Sequence, residues 1–271
     1  MRLLPLFLML FSADLFSETV PGGLFVWDIP EGAYEVKFKN RPVFVINNMA
    51  LVGIPVFEKN STQVLNYKID GELKKQTFQV LSKQYTEQHI TIKNKALVTP
   101  PAQELERIKK ESSTQKSLYE SYSFPLELTK GFVFPLKGTI TSLFGHRRFF
   151  NGQPRSPHSG IDIAASKGTP IIAPASGKIV LAQELYFNGE TVFIDHGQGL
   201  VTMYCHMSRL LVSEGDQVEQ GNKIGLVGST GRATGPHLHW SVSLNGFRVD
   251  PNILVQTLNN IIGADRVFYG G

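Results

Sequence analysis

The chain has 271 residues, of which 42% are hydrophobic and 18% are Asp, Glu, Lys or Arg. This composition excludes a globally disordered chain and is sufficient for two compact domains. The net charge of +4 suits an anionic partner, although an ordinary basic surface fits it equally well. Because no basic run is interleaved with aromatic residues, we expect no nucleic-acid partner.

Residues 1–17 have the pattern of an export signal peptide. Arg2 precedes an apolar run over residues 3–11, and the small residues Ala13 and Ser17 follow it. The apolar run is too short to span a bilayer. We therefore predict a periplasmic or secreted protein, with membrane association only if this segment stays uncleaved.

Residues 19–100 have the pattern of an all-β accessory domain. Runs rich in β-branched and aromatic residues, such as YEVKFK and HITIKN, recur between turn signals such as Gly22-Gly23 and Asp70-Gly71. Several short strands at this spacing predict a small immunoglobulin-like β-sandwich. We interpret it as a targeting, positioning or inhibitory module, since no group of its residues carries recognisable chemistry.

A helical linker is predicted over residues 101–123. The pair Pro100-Pro101 interrupts the preceding β pattern, and the run AQELERIKKESSTQKSLYES that follows has apolar residues near helical spacing. Residues 131–252 then alternate strand-like runs with glycines, which predicts a second domain that is almost entirely β. Residues 253–271 are left as a C-terminal tail.

The strongest chemical signal comes from two short clusters in this second domain. His158 and Asp162 lie in PHSGIDIAA, and His237 and His239 lie in GPHLHW. A catalytic zinc site needs three protein ligands, an open position for water and a nearby base, and these residue types supply them. Strand residues two or four apart point to the same face, so each pair can face one site.

His206 lies between the two clusters, in the run TMYCHMS. Polar and apolar residues alternate there, so we expect His206 to point away from the core and Cys205 to point into it. Cys205 is the only cysteine, and we expect a small core residue rather than a fourth zinc ligand. We interpret His196 in the turn IDHGQG as structural, and we assign no chemistry to His89 or His146.

On these motifs, residues from about 132 to 251 resemble peptidase family M23, the LytM/lysostaphin-type zinc metallopeptidases. That family has an H-x3-D motif, then Y-x-H, then H-x-H. In the same order this chain has His158-Ser-Gly-Ile-Asp162, Tyr204-Cys-His206 and His237-Leu-His239. The resemblance implies a mainly β chain, with an antiparallel catalytic domain that shares features of lipoyl-type barrels. It is similar to exported bacterial forms with a preceding β domain.

The resemblance also implies a role for each residue. One zinc ion would be bound by His158, Asp162 and His239, His237 would act as general base, and His206 would stabilise the oxyanion or pass the proton. The implied activity is hydrolysis of cross-link or stem peptides of peptidoglycan, which would be the substrate. The alternative is a non-catalytic M23-type activator of cell-wall amidases, and the complete set of five residues argues against it.

Substrate contacts are predicted for two further residues. Arg148 lies with Arg147 and Arg155 in the loop FGHRRFFNGQPRSPHSG, just before the first expected ligand. Arginine pairs well with carboxylates, so these side chains could meet carboxylates of a peptide stem, although structural or solvated arginines fit equally well. Tyr204 of the Y-x-H motif is the second candidate.

Overall fold

The computed structural model describes residues 19–59, 61–123, 128 and 130–263. The predicted signal peptide therefore lies outside the described residues. No helix within these ranges is long and apolar enough to cross a membrane. Strands make up most of the regular structure, which confirms the predicted mainly β fold.

The N-terminal part forms two small sheets. Its strands are β1 (Leu24–Asp28), β2 (Tyr34–Phe38), β3 (Arg41–Pro42), β4 (Phe44–Ile46), β5 (Met49–Gly53), β6 (Ser61–Ile69) and β7 (Glu72–Val80). One sheet has the order β1-β5-β4 and the other has the order β3-β2-β6-β7. Inward-facing residues of both sheets, among them Phe38, Val52 and Phe78, pack into one buried cluster.

A larger second part follows. Its elements are β8 (Glu87–Ile90), 3-10 turns at Lys95–Leu97 and Ala102–Glu104, α1 (Leu105–Tyr119), β9 (Thr139–Ser142), β10 (Arg147–Phe150), β11 (Gln153–Pro154), β12 (Ile161–Ala164), β13 (Pro170–Ile172), β14 (Gly177–Leu185), β15 (Gly189–Asp195), β16 (Leu200–Met207), β17 (Arg209–Leu210), β18 (Gln217–Val218), β19 (Lys223–Leu226), β20 (His237–Leu244), β21 (Phe247–Val249) and α2 (Pro251–Ile262). An eight-stranded antiparallel sheet has the order β18-β14-β15-β16-β20-β12-β9, with β21 beside β20. Strands β13, β19 and β17 form a smaller sheet.

Both faces of the eight-stranded sheet are covered. Tyr204 and Trp240 lie on one face, in a core cluster to which residues of the smaller sheet and α2 also belong. Cys205 lies on the other face, in a second cluster with Tyr119 at the end of α1. The helix falls within the predicted linker, and it is a packed connector.

The two parts share a core. Leu24 and Leu51 of the N-terminal sheets belong to the main buried cluster of the second part. The side chain of Asn245 joins the parts as well, because its Oδ1 accepts from the Gly53 N–H at 3.3 Å and its Nδ2 donates to the Pro42 carbonyl at 3.0 Å. The N-terminal part is therefore not a detached module.

Strand β8 departs from the predicted organisation. It lies within the residues assigned to the accessory domain, yet it pairs in parallel with β10, which carries Arg148. The register places Gln88 opposite Arg148. A strand that precedes the predicted boundary at residue 100 therefore pairs with a strand that follows it, in a three-stranded sheet with the order β11-β10-β8.

The predicted C-terminal tail is wrong over residues 253–262, which belong to helix α2. The Asp250 carboxylate caps the helix by accepting from the Asn252 N–H, and the helix ends at Gly263 in the left-handed conformation. Leu254 and Leu258 lie one turn apart and are fully buried in the main core. An Asp-Pro start, helical apolar spacing and a terminal glycine are signals that predict this helix.

Candidate metal centre

Strand register places the centre on one face of the large sheet. Asp162 of β12 lies opposite His239 of β20, and His239 lies opposite Cys205 of β16. Directly opposed residues share a face, so these side chains lie in a row on the side that α1 covers. The centre is therefore built beside the linker helix rather than on the open side of a domain.

His158 reaches the same point from the loop before β12. Gly160 lets the loop approach β20 closely, because a Cβ at this position would collide with the Trp240 carbonyl oxygen. The spacing H-x3-D therefore joins a loop histidine to a strand aspartate. The residue at position 160 between them must be glycine because there is no space for a larger side chain.

Three ligand atoms converge at this point. The His158 Nε2 lies 3.0 Å from the Asp162 Oδ1 and 2.9 Å from the His239 Nδ1. The His239 Nδ1 lies 2.7 Å from the same Asp162 Oδ1. All three residues are buried. Each atom is of a type that binds zinc in proteins.

Hydrogen bonds on the far side of each ring fix the histidine tautomers. The His158 Nδ1 donates to the Leu143 carbonyl at 2.8 Å, so its Nε2 carries the lone pair. The Ser241 hydroxyl donates to the Ser159 carbonyl at 2.8 Å, and it therefore accepts from the His239 Nε2–H at 2.9 Å. This leaves the His239 Nδ1 bare as well.

Two imidazole lone pairs and a carboxylate oxygen thus face one another with no proton between them. The Arg148 Nη2 donates to the other oxygen of Asp162, Oδ2, at 2.6 Å, which favours the ionised carboxylate. Burial lowers the pKa of His158 and lowers that of His239 to about 4. Neutral imidazoles and an ionised carboxylate are the ligand forms that a metal ion requires, so the residues fit a divalent cation.

Two further histidines stand beside these ligands. The ring centres of His206 and His237 lie 4.9 Å apart, and the His237 Nε2 lies 4.0 Å from the Asp162 Oδ1. Their Nδ1 atoms donate to the carbonyls of Thr230 and Gly235, each at 2.8 Å. Both Nε2 atoms are therefore free to accept a proton. The structure brings all five predicted residues together.

The backbone at His206 departs from a regular strand. His206 has φ of 64°, in the left-handed region, and its N–H donates to the Asn188 carbonyl at 2.8 Å. Because of this irregularity, His206 and Cys205 both line the groove at the centre. Cys205 is a small buried core residue outside the converging ligand group, as predicted, but its cluster borders the groove on the same side as His206.

Tyr204 does not face the groove. Its side chain is fully buried in the main core, and its hydroxyl donates to the Thr202 Oγ1 at 2.8 Å. The prediction that Tyr204 contacts substrate is therefore not supported, because substrate has no access to it. Thr202 in turn donates to the His196 Nε2 at 2.8 Å, and the His196 Nδ1 donates to the Ser176 carbonyl. These bonds agree with a structural His196.

Arg148 contacts the centre instead of standing free in the groove. Its Nη2 donates to the Asp162 Oδ2 at 2.6 Å, and its Nε donates to the Gln88 Oε1 at 3.0 Å. Asp162 therefore presents one oxygen to the two histidines and the other to Arg148. Through these bonds, Arg148 holds the Asp162 carboxylate in position. Sequence reasoning missed Gln88, which carries no motif.

The centre opens into a groove with a volume of about 650 Å³. Helix α1 supplies part of its wall through Gln115, Lys116 and Tyr119, and the loop over 155–159 supplies another part. The Gln115 Oε1 accepts from the Asn188 Nδ2 at 3.2 Å, which ties the helix to the residue that holds the His206 N–H. The groove is large enough for a peptide segment.

Comparisons with known proteins agree with this geometry. The model of peptidase family M23 matches residues 156–251. A crystal structure from Pseudomonas aeruginosa, described as a candidate M23 peptidase, superposes with a TM-score of 0.74 at 37% identity and covers 90% of this chain and 98% of that one.

Curated relatives match the same region. The peptidoglycan DD-endopeptidase ShyA of Vibrio cholerae is 40% identical over 111 residues, which is 41% of this chain and 26% of the relative. The DD-carboxypeptidase/endopeptidase Mpg of Neisseria meningitidis is 39% identical over 130 residues, which is 48% of this chain and 30% of the relative. The matched segments thus span less than a third of these relatives.

Proposed function

This chain belongs to peptidase family M23, as its motifs predict, and we propose that it is a zinc metalloendopeptidase that hydrolyses cross-link or stem peptides of peptidoglycan. The observation that carries the proposal is the convergence of two bare imidazole nitrogens and one carboxylate oxygen in a buried site. Such a set is stable with a cation at its centre and repulsive without one. The relatives named as peptidoglycan endopeptidases support the substrate class.

One zinc ion per chain would be held by the His158 Nε2, the Asp162 Oδ1 and the His239 Nδ1. When bound, zinc would polarise the scissile carbonyl and make water acidic enough to attack it near neutral pH. The bonds from Leu143, Ser241 and Arg148 hold the three ligands in place from outside. Such outer partners orient the ligands and tune affinity.

The remaining chemistry is proton transfer by His237 and His206. The Gly235 carbonyl holds the His237 Nδ1–H, so the Nε2 can take a proton from the attacking water. Burial and the neighbouring histidines lower the pKa of His206 to about 3, so its Nε2 is also unprotonated at rest. His206 would then pass a proton to the leaving amine or stabilise the oxyanion once protonated.

The test is a digest of purified cross-linked peptidoglycan by the signal-free protein, followed by mass spectrometry of the released fragments. We expect cross-linked dimers to disappear, a chelator to stop the loss and added zinc to restore it. The fragments identify the bond, and the relatives' names suggest one between D-amino acids. His239→Ala serves as the inactive control.

A protein that binds one zinc ion per chain and leaves all cross-links intact would contradict the proposal. That outcome would favour the non-catalytic amidase activator instead. Because peptidoglycan lies outside the cytoplasmic membrane, the proposed substrate also places the protein in the periplasm or outside the cell. The export pattern of residues 1–17 supports the same location.

A further inference from the structure

The groove beside the metal centre is strongly basic. Its cationic side chains are Lys116, Arg148, Arg155, Arg232 and Arg248. Among the described residues, no Asp or Glu lines the groove beside them. Arg148 is neutralised by Asp162, and Lys116 and Arg248 lie near Glu120. Arg155 and Arg232 have no carboxylate partner among the described residues. A desolvated cation without one is costly, so the groove has room and charge for an anion.

Arg232 is the most informative of these residues. Its guanidinium carbon lies 4.7 Å from the centre of the Phe150 ring and 4.4 Å from that of Phe187. The rings hold the side chain by cation–π contact and leave its in-plane N–H groups to bond elsewhere. Its one described side-chain bond is a long one, from Nη1 to the Leu97 carbonyl at 3.4 Å.

The surroundings of Arg232 contain other cations and no described carboxylate. Burial lowers its pKa to about 10, and Arg148 and Arg155 add to the effect. Among the described residues, the Arg155 Nη2 donates to two neutral oxygens, those of Val98 and Gln153, each at 2.7 Å. Both guanidinium groups line the same groove, and neither is paired with a described carboxylate.

The backbone fixes this pair relative to the catalytic histidines. The Arg232 N–H donates to the Phe187 carbonyl at 2.8 Å, so the start of its side chain is held by the adjacent loop. Two residues earlier, the Thr230 carbonyl accepts from the His206 Nδ1. The same short loop therefore orients His206 and carries Arg232.

We propose that Arg232 and Arg155 form a carboxylate-binding subsite that holds a free carboxylate of the peptide beside the scissile bond. The inference rests on the proposed peptidase function and adds a specificity determinant to it. Guanidinium groups match a carboxylate in shape and charge through paired N–H···O bonds. A peptide that carries an acid at this place would be preferred over the same peptide with an amide.

The test uses two synthetic cross-linked peptides that differ only in one carboxylate flanking the scissile bond, present as the free acid or as the primary amide. A methylene group replaces the scissile amide nitrogen, so that neither peptide is hydrolysed. Binding to the zinc-loaded full chain is measured by fluorescence anisotropy. We expect the acid to bind about ten- to a hundredfold more tightly than the amide, as for a charge-assisted pair.

The variants Arg232→Gln and Arg155→Gln should reduce this preference. With Arg232→Gln, the ratio of the affinities for the acid and the amide peptide should be close to one. The exposed Arg209 of β17 lies outside the groove, and Arg209→Gln is the matched control that should keep it. Equal affinity of the wild-type protein for acid and amide would overturn the proposal. Equal weakening of both peptides by Arg232→Gln would do so as well, because it would mark a structural role.

The cleavable versions of the two peptides separate this inference from the proposed function. With those, Arg232→Gln should raise KM for the acid peptide and change kcat little. If the acid peptide binds preferentially and is never cleaved, the peptidase function fails and the subsite stands. If both peptides are cleaved equally well and bound equally well, the function stands and the subsite fails.

Discussion

Replacing Ser241 with alanine tests whether the metal centre depends on a fixed histidine tautomer. Ser241 contributes only a hydroxyl, which accepts from the His239 Nε2–H and donates to the Ser159 carbonyl. Without it, the proton of His239 has a better position on Nδ1, where the Asp162 Oδ1 lies 2.7 Å away. That proton would occupy the lone pair that zinc needs.

The expected loss of zinc affinity follows from one buried hydrogen bond. Leaving a buried donor unpaired costs about 1–3 kcal/mol, which is the amount by which the blocked tautomer gains on the competent one. Each 1.4 kcal/mol corresponds to about tenfold in affinity, so we expect roughly ten- to hundredfold weaker zinc binding. The apoprotein should also lose about 1 kcal/mol of stability, since the Ser159 carbonyl loses its donor.

The measurement is a competition titration against a chromophoric zinc chelator at constant pH, with thermal unfolding of each apoprotein. Ser243→Ala is a matched control, because Ser243 is equally buried on the same strand and its described side-chain bond goes to the Tyr119 carbonyl, at 3.2 Å. It should lose stability and keep its zinc affinity. Zinc affinity of Ser241→Ala within twofold of the wild type, or an equal loss in the control, would refute the reasoning.

Three further predictions concern the centre and the shared core. His239→Ala should lose zinc and activity together, whereas His206→Ala should keep zinc by metal analysis and lose about 10²- to 10⁴-fold in kcat; a fully active His206→Ala contradicts its role. Arg148→Gln should weaken zinc binding by about tenfold in the chelator titration, because Asp162 loses its outer partner, and an effect on KM alone would contradict this. Leu51→Ala should cost about 2–5 kcal/mol in urea unfolding, with a single transition for both parts; two separate transitions would show that the core is not shared.

The ligand geometry was accessible from sequence because it depends on strand periodicity. His237 and His239 lie two residues apart on one strand and share a side, as predicted. His158 was expected on the same strand as Asp162, but it reaches the site from the loop before β12. These relations are local and need no knowledge of distant contacts. The general β character follows from the same short-range patterns.

The errors have equally definite causes. A non-glycine residue with positive φ cannot be read from alternation, and His206 has this conformation, so the sides of Tyr204 and Cys205 were interchanged. The role of Arg148 depends on Gln88, about sixty residues away along the chain, through a parallel strand pair. Pairings between distant segments leave no periodic signal in a single sequence.

Strand β8 and helix α1 contribute to the groove from outside the segment that the family model matches. Gln88 and the wall residues of α1 precede the segment 156–251 that the family model matches. Gln88 nevertheless holds Arg148 in place, and the α1 residues bound the groove proposed for the peptide. Substitutions in these elements can therefore alter which peptides fit while every motif residue stays unchanged. Within such a family, peptide preference can diverge through parts of the chain that carry no catalytic motif.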